Sequence, residues 1–90
     1  MSMKLSVEIS MYPLQDQYKE KIKSFLDDIN ANRGSVEVRT SNMSTRLFGD
    51  FDDVTQLLTF CMRSSMAQFG KIVFVCKYLE GDARELKNYD

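Results

Sequence analysis

Asn42-Met43-Ser44-Thr45-Arg46-Leu47-Phe48-Gly49-Asp50 is the stretch on which the fold turns. Met43, Thr45 and Leu47 alternate with Ser44, Arg46 and Phe48, the period of two that predicts a half-buried strand. Just upstream, Ser35 to Thr40 alternates in the same way, Val36 and Val38 against Glu37 and Arg39, with only Ser41-Asn42 between. Those two residues are turn formers, and strands joined this closely pair antiparallel as a hairpin. Downstream, Asp50, Asp52 and Asp53 open a helix and complement the positive end of its dipole. Gly49 marks the strand end or a bulge. Hydroxyls and a guanidinium at the centre of a sheet exceed what a plain core strand needs, so the stretch is also the first place to look for function.

Working outward, Leu5, Val7, Ile9 and Met11 alternate with Ser6, Glu8, Ser10 and Tyr12, and Pro13 ends that first strand because it donates nothing to a ladder. Tyr18, Ile22, Phe25, Leu26 and Ile29 recur at steps of three and four and predict a helix, with Asp16 as N-cap and Gly34 as C-terminal stop. The second helix is expected from about Asp52 to Gln68, burying Val54, Leu57, Leu58, Cys61, Met62 and Met66, with Gly70 closing it. Lys71 to Leu79 reads as a fourth strand. Its run Ile72-Val73-Phe74-Val75 predicts cover on both faces. The tail from Glu80 to Asp90 is charged and weakly helical. The order is β-α-β-β-α-β. With right-handed crossovers it gives an α+β ferredoxin-like plait, a four-stranded antiparallel sheet with two helices on one face and the first and third strands central.

Ninety residues make one small domain, residues 1–90, with room for a single core. A domain of this size buries a modest share of its surface, so a partner subunit is expected. Twelve Lys and Arg stand against thirteen Asp and Glu, interspersed, for a net charge of −1. That lacks the basic footprint of a nucleic-acid binder. No apolar run is long enough to span a bilayer, and no signal-peptide core precedes the first strand, so a cytoplasmic location is expected. The chain has no histidine, which removes the commonest general base and any Ser-His-Asp set. Cys61 and Cys76 fall within apolar patterns and read as buried thiols; they do not make a zinc site. The three aspartates before the second helix read as helix-capping charge, with no companion spacing for a metal. Neither a catalytic set nor a resident cofactor is expected.

The plait leaves one sheet face without a helix, and the alternation places Glu8, Ser10 and Tyr12 there beside Ser44, Arg46 and Phe48. One carboxylate, hydroxyls, a guanidinium and two rings suit a small ring with hydrogen-bonding edges. The same residues also fit a solvated face on which Glu8 and Arg46 form a cross-strand pair. Two other uses of this fold are not supported. A glycine-rich anion loop after the first strand would suit acylphosphatase chemistry, but that place reads Tyr12-Pro13-Leu14-Gln15. An RNA-recognition motif needs a basic-aromatic run on the third strand, and Ser44-Thr45-Arg46-Leu47-Phe48 is not one.

The first strand running into Tyr12-Pro13-Leu14, with Met43-Ser44-Thr45-Arg46 and Gly49-Asp50 before the second helix, resembles the Ykof-related family of thiamine- and hydroxymethylpyrimidine-binding proteins. The resemblance spans about Lys4 to Tyr78, and single-domain thiamine-binding proteins of the same plait are similar too. It implies a non-enzymatic binder of thiamine or its hydroxymethylpyrimidine precursor in bacterial cytoplasm. Because some members carry two plaits in tandem, it also implies a homodimer or dimer of dimers for a single plait. It puts Ser44 and Thr45 at the ligand, with Met43 as a wall. The chemistry of an aminopyrimidine adds Glu8 as partner for the ring nitrogen and amine, and Tyr12 or Phe48 as the stacking ring. The alternative function is a structural or regulatory oligomerisation domain without a ligand, its helix-free face buried against a partner.

Overall fold

The computed structural model describes residues 3–14, 16–41 and 44–85. Strand β1 (Lys4–Pro13) leads to helix α1 (Tyr18–Asn32), the hairpin β2 (Glu37–Thr40) and β3 (Thr45–Asp50), helix α2 (Phe51–Phe69) and strand β4 (Ile72–Glu80). A single 3-10 turn follows at Ala83–Glu85. The sheet order is β2-β3-β1-β4, and all three pairings are antiparallel. This is the ferredoxin-like plait that the alternation predicts. Leu5, Val7, Ile9 and Leu47 project from one sheet face and are buried against Phe25 and Ile29 of α1 and Val54, Leu57, Leu58 and Cys61 of α2. Burying a side chain of this size contributes about 1.5–3 kcal/mol, so this shared core dominates the stability.

The local deviations from the sequence reading have physical causes. The N-cap of α1 is Gln17, in left-handed backbone at φ 63°, with no side-chain cap bond, so Asp16 does not cap it. Helix α2 starts directly after β3: the Phe51 N–H donates to the Met3 carbonyl at 2.7 Å, tying the helix start to the entry of β1. Gly70, at φ 85°, ends α2 and donates its N–H to the Met66 carbonyl. Met66 is exposed, and Ser65 takes the buried place beside Cys61. Strand β4 is not covered on both faces. It lies at a sheet edge and its burial alternates, with Phe74 and Cys76 toward the helices and Val73 and Val75 away from them.

The segment after β4 crosses the helix-free face. Gly81, at φ 102°, supplies a turn that few other residues enter. Its N–H donates to the Lys4 carbonyl at 2.9 Å. The Ser6 hydroxyl donates to the Gly81 carbonyl and accepts from the Ala83 N–H, both at 2.8 Å. Arg84 pairs with Asp82 and, at 2.6 Å, with Glu37 of β2. Its guanidinium lies 5.5 Å from the centre of the Phe48 ring. Residues 81–84 therefore form a strap running from β4 over β1 and β3 to β2.

Two measurements check this packing. Ser65 is 1% exposed, and its hydroxyl finds no partner among the described residues. An unsatisfied buried donor is costly, and alanine is the better helix former. Ser65→Ala should raise stability by about 1 kcal/mol, read as a higher denaturant midpoint at unchanged slope. The second concerns pH. Hydrogen bonds from Arg84 and then Arg39 hold the Glu37 carboxyl below its usual 4.5, and the hydrogen bond from Arg84 holds Asp82 down to about 2. Both carboxyls bind a proton more weakly folded than unfolded. Their contribution is therefore full above about pH 4.5 and is lost as the pH falls toward 2. The Tm difference between the parent chain and Arg84→Ala should be largest at pH 7 and shrink as the pH falls from about 4.5 through 2.

Candidate ligand-binding site

A groove opens where β1 ends at Pro13 and α1 begins. On the hairpin side of this end the helix-facing residues are the short Thr40 and Thr45, which leave space under the first turns of α1. A cavity of about 380 Å³ results. One wall is apolar: Met11 of β1 with Tyr18, Ile22 and Phe25 of α1. Phe25 is braced from behind by Phe74, ring centres 5.0 Å apart at 45°. The other end carries hydroxyls from Thr40, Ser41, Ser44 and Thr45. Thr40 and Thr45 are cross-strand partners whose hydroxyl oxygens lie 3.4 Å apart. Ser41 donates both its N–H and its hydroxyl to the Ser44 carbonyl, at 2.9 and 3.1 Å, and so closes the hairpin beside the groove. A cavity of this size, apolar with a few convergent polar groups, is what a small planar ring needs.

The structure sorts the residues singled out from the sequence. Ser10, Tyr12, Ser44 and Thr45 all border the groove. Thr45 is buried on the helix side, paired with Ile9 of β1. Glu8 stands on the helix-free face beside Arg46 of β3. Its carboxylate accepts from the Ser44 hydroxyl at 2.9 Å and faces the Lys77 ammonium at 3.5 Å. Glu8 is thus linked to the groove through Ser44 and does not line it. Phe48 lies toward the other end of β3 and is 2% exposed. The Arg39 and Arg84 guanidiniums sit 5.3 and 5.5 Å from its ring centre, so cations occupy the position in which a ligand ring would stack. Met43 falls outside the described residues. Thr40, Ser41, Tyr18 and Ile22 were not picked out as site residues from the sequence. Two threonines that the alternation turns toward a hydrophobic core were the signal that would have found the hydroxyl end.

Among the described residues no group of three or more His, Cys, Asp or Glu is placed to hold a metal ion. Burial, and secondarily the charge of Asp28, pushes the Cys61 thiol up to about 11. Burial also raises Cys76, with a hydrogen bond from Tyr78 working the other way. Neither thiol is prepared as a thiolate nucleophile.

A ferredoxin-like plait with a hydroxyl-ended groove between β1 and α1 is the class that this geometry defines. The chain belongs to the YKOF-related family, whose sequence profile matches residues 4–83. No curated protein matches the sequence significantly. Among solved structures, a hypothetical protein of Methanocaldococcus jannascii, MJ1052, is 21% identical at a TM-score of 0.74, with 91% of this chain and 84% of that one covered. TM0486 of Thermotoga maritima, described as a candidate thiamine biosynthesis/salvage protein, is 15% identical at 0.74, covering 94% and 90%. A Bacillus cereus domain of unknown function is 14% identical at 0.75, covering 100% and 93%. At these identities the likeness is one of fold. Among the described residues, no helix is long and apolar enough to cross a membrane.

The thiol assignment is checked with a Cys76→Ala variant, which leaves Cys61 alone. At pH 8 it should not react with an aromatic disulfide reagent while folded and should react fully once denatured. Fast reaction of the folded protein would overturn the assignment.

Proposed function

We propose that the chain binds thiamine or its hydroxymethylpyrimidine precursor in the groove between β1 and α1 and releases it unchanged. The observation that carries this reading is the pairing of a Phe25–Ile22–Tyr18 wall with the Thr40–Thr45 hydroxyls in a cavity of about 380 Å³. A planar pyrimidine gains contact area on the wall. Its ring nitrogen and exocyclic amine meet groups that both donate and accept. Glu8, held by the Ser44 hydroxyl, places a carboxylate near the mouth, where it favours an amine or the cationic thiazolium of thiamine. Membership of the YKOF-related family and the thiamine-linked description of TM0486 support the choice of ligand. A second copy of the chain covers part of the helix-free face, as a homodimer.

The second reading, an oligomerisation domain without a small ligand, draws on one observation: Tyr12, Val73 and Val75 are 53%, 44% and 48% exposed on that face. It predicts association without any response to thiamine compounds.

Thermal unfolding separates the two. A ligand at a hundredfold excess over its Kd stabilises the folded state by about 2.7 kcal/mol, a rise on the order of 10 °C for a domain of this size. Thiamine, hydroxymethylpyrimidine and thiamine phosphate are titrated against the parent chain, Thr45→Ile and Glu8→Gln. At least one ligand should raise the parent Tm, and Thr45→Ile, which fills the hydroxyl end, should abolish the rise. A rise lost in Glu8→Gln assigns the amine to the carboxylate, and a rise retained assigns it to the hydroxyls. No response to any of the three at millimolar concentration would rule out this function.

A further inference from the structure

The strand register lays the helix-free face out in rows. The row across Glu37, Phe48, Ser6 and Leu79 lies at the strapped end. The next row, Arg39, Arg46, Glu8 and Lys77, is entirely charged. Beyond it lie Ser10 with Val75 and Tyr12 with Val73, where three exposed apolar side chains adjoin, against Leu79 alone in the strapped row.

The strap treats the two ends differently. It leaves the end of β4 and passes over β1 and β3 to β2 at the Phe48 end, bonded to Lys4, Ser6 and Glu37 in turn. Ala83 and Phe48 are sealed beneath and around it. Without these residues the Phe48 ring would add a second apolar area to the face. The Tyr12–Val73–Val75 end has no such cover from the described chain.

We propose that residues 81–84 confine self-association to one half of the helix-free face: a second copy of this chain seats on Tyr12, Val73 and Val75, and the strap closes the Phe48 half to it. This rests on the homo-oligomer reading of the preceding subsection. The choice of a second copy follows from the charged row. A two-fold interface must be complementary to itself. The row bordering the apolar patch carries Glu8 together with Arg46 and Lys77, so each copy brings both signs to the rim. The Glu8–Lys77 pair of one copy, 3.5 Å apart, then lies beside that of the other around an apolar centre, the usual division of a protein interface into core and rim. A strongly acidic or basic partner would leave one sign unmatched.

The test is light scattering on the whole chain at micromolar concentration, for the parent, Val75→Arg, Arg84→Ala and the Ser6→Ala/Arg84→Ala pair. Release of the strap is followed separately by hydrogen exchange at the Ala83 amide, which Ser6 holds in the parent. Arg84 lies on the surface, so the single variant serves should the pair not fold. The parent should have twice the chain mass of 10.4 kDa, and Val75→Arg should be monomeric. The strap-released variants should form species larger than a dimer whose mass grows with concentration. A dimeric parent whose strap-released forms remain dimeric while the Ala83 amide exchanges freely would overturn the strap's role alone. A dimer that survives Val75→Arg would overturn the seat. A monomeric parent would overturn the homo-oligomer reading and this proposal with it.

Discussion

Strand β1 is paired on both sides, to β3 and to β4, and its two faces meet different demands. Leu5, Val7 and Ile9 are buried against the two helices, while Ser6, Glu8, Ser10 and Tyr12 point the other way. The rest of the structure depends on that division. A one-residue slip of this strand would carry the apolar set out of the core and the charged set into it, so the register of the whole sheet is held by the burial of three side chains. The same strand positions both candidate functional regions. Its Pro13 end borders the groove, and its Ser6 end anchors the strap.

The groove exists because the core is unevenly filled. Toward the Asp50 end of β3, Leu47, Val54 and Leu58 close the space between sheet and helices. Toward the other end Thr40 and Thr45 stand at the same layer, and a cavity remains there under α1. A hydroxyl on the helix side of a strand costs stability unless it is bonded, and Thr40 and Thr45 face one another across β2 and β3. A sequence optimised only for the fold would have placed larger apolar residues here.

Particular residues show how much of this was legible beforehand. The alternation in β1 and β3, the spacing of Val54, Leu57, Leu58 and Cys61, and the turn at Ser41 lead directly to the plait. Ser10, Tyr12 and Ser44 were singled out for the helix-free face of the two central strands; they border the groove, but it opens on the helix side, where Thr45 is buried. Phe48 was read as an open ring and is covered, because Arg84 lies 36 positions further along the chain and no local pattern links the two. The run Ile72–Val75 was read as doubly covered, but strand order made β4 an edge, and an apolar run carries no information about its neighbours.

The sequence by itself determined the elements, their order and which face of each strand meets the helices. These follow from periodicity and turn chemistry, which act over a few residues. Only the tertiary structure decided where a cavity remains, that Ser44 hands its hydrogen bond to Glu8, and that residues 81–84 close one end of the helix-free face. Those outcomes depend on contacts between residues tens of positions apart. Their distances are set by sheet register and by the fit of α1 over β1, which no short stretch of sequence encodes.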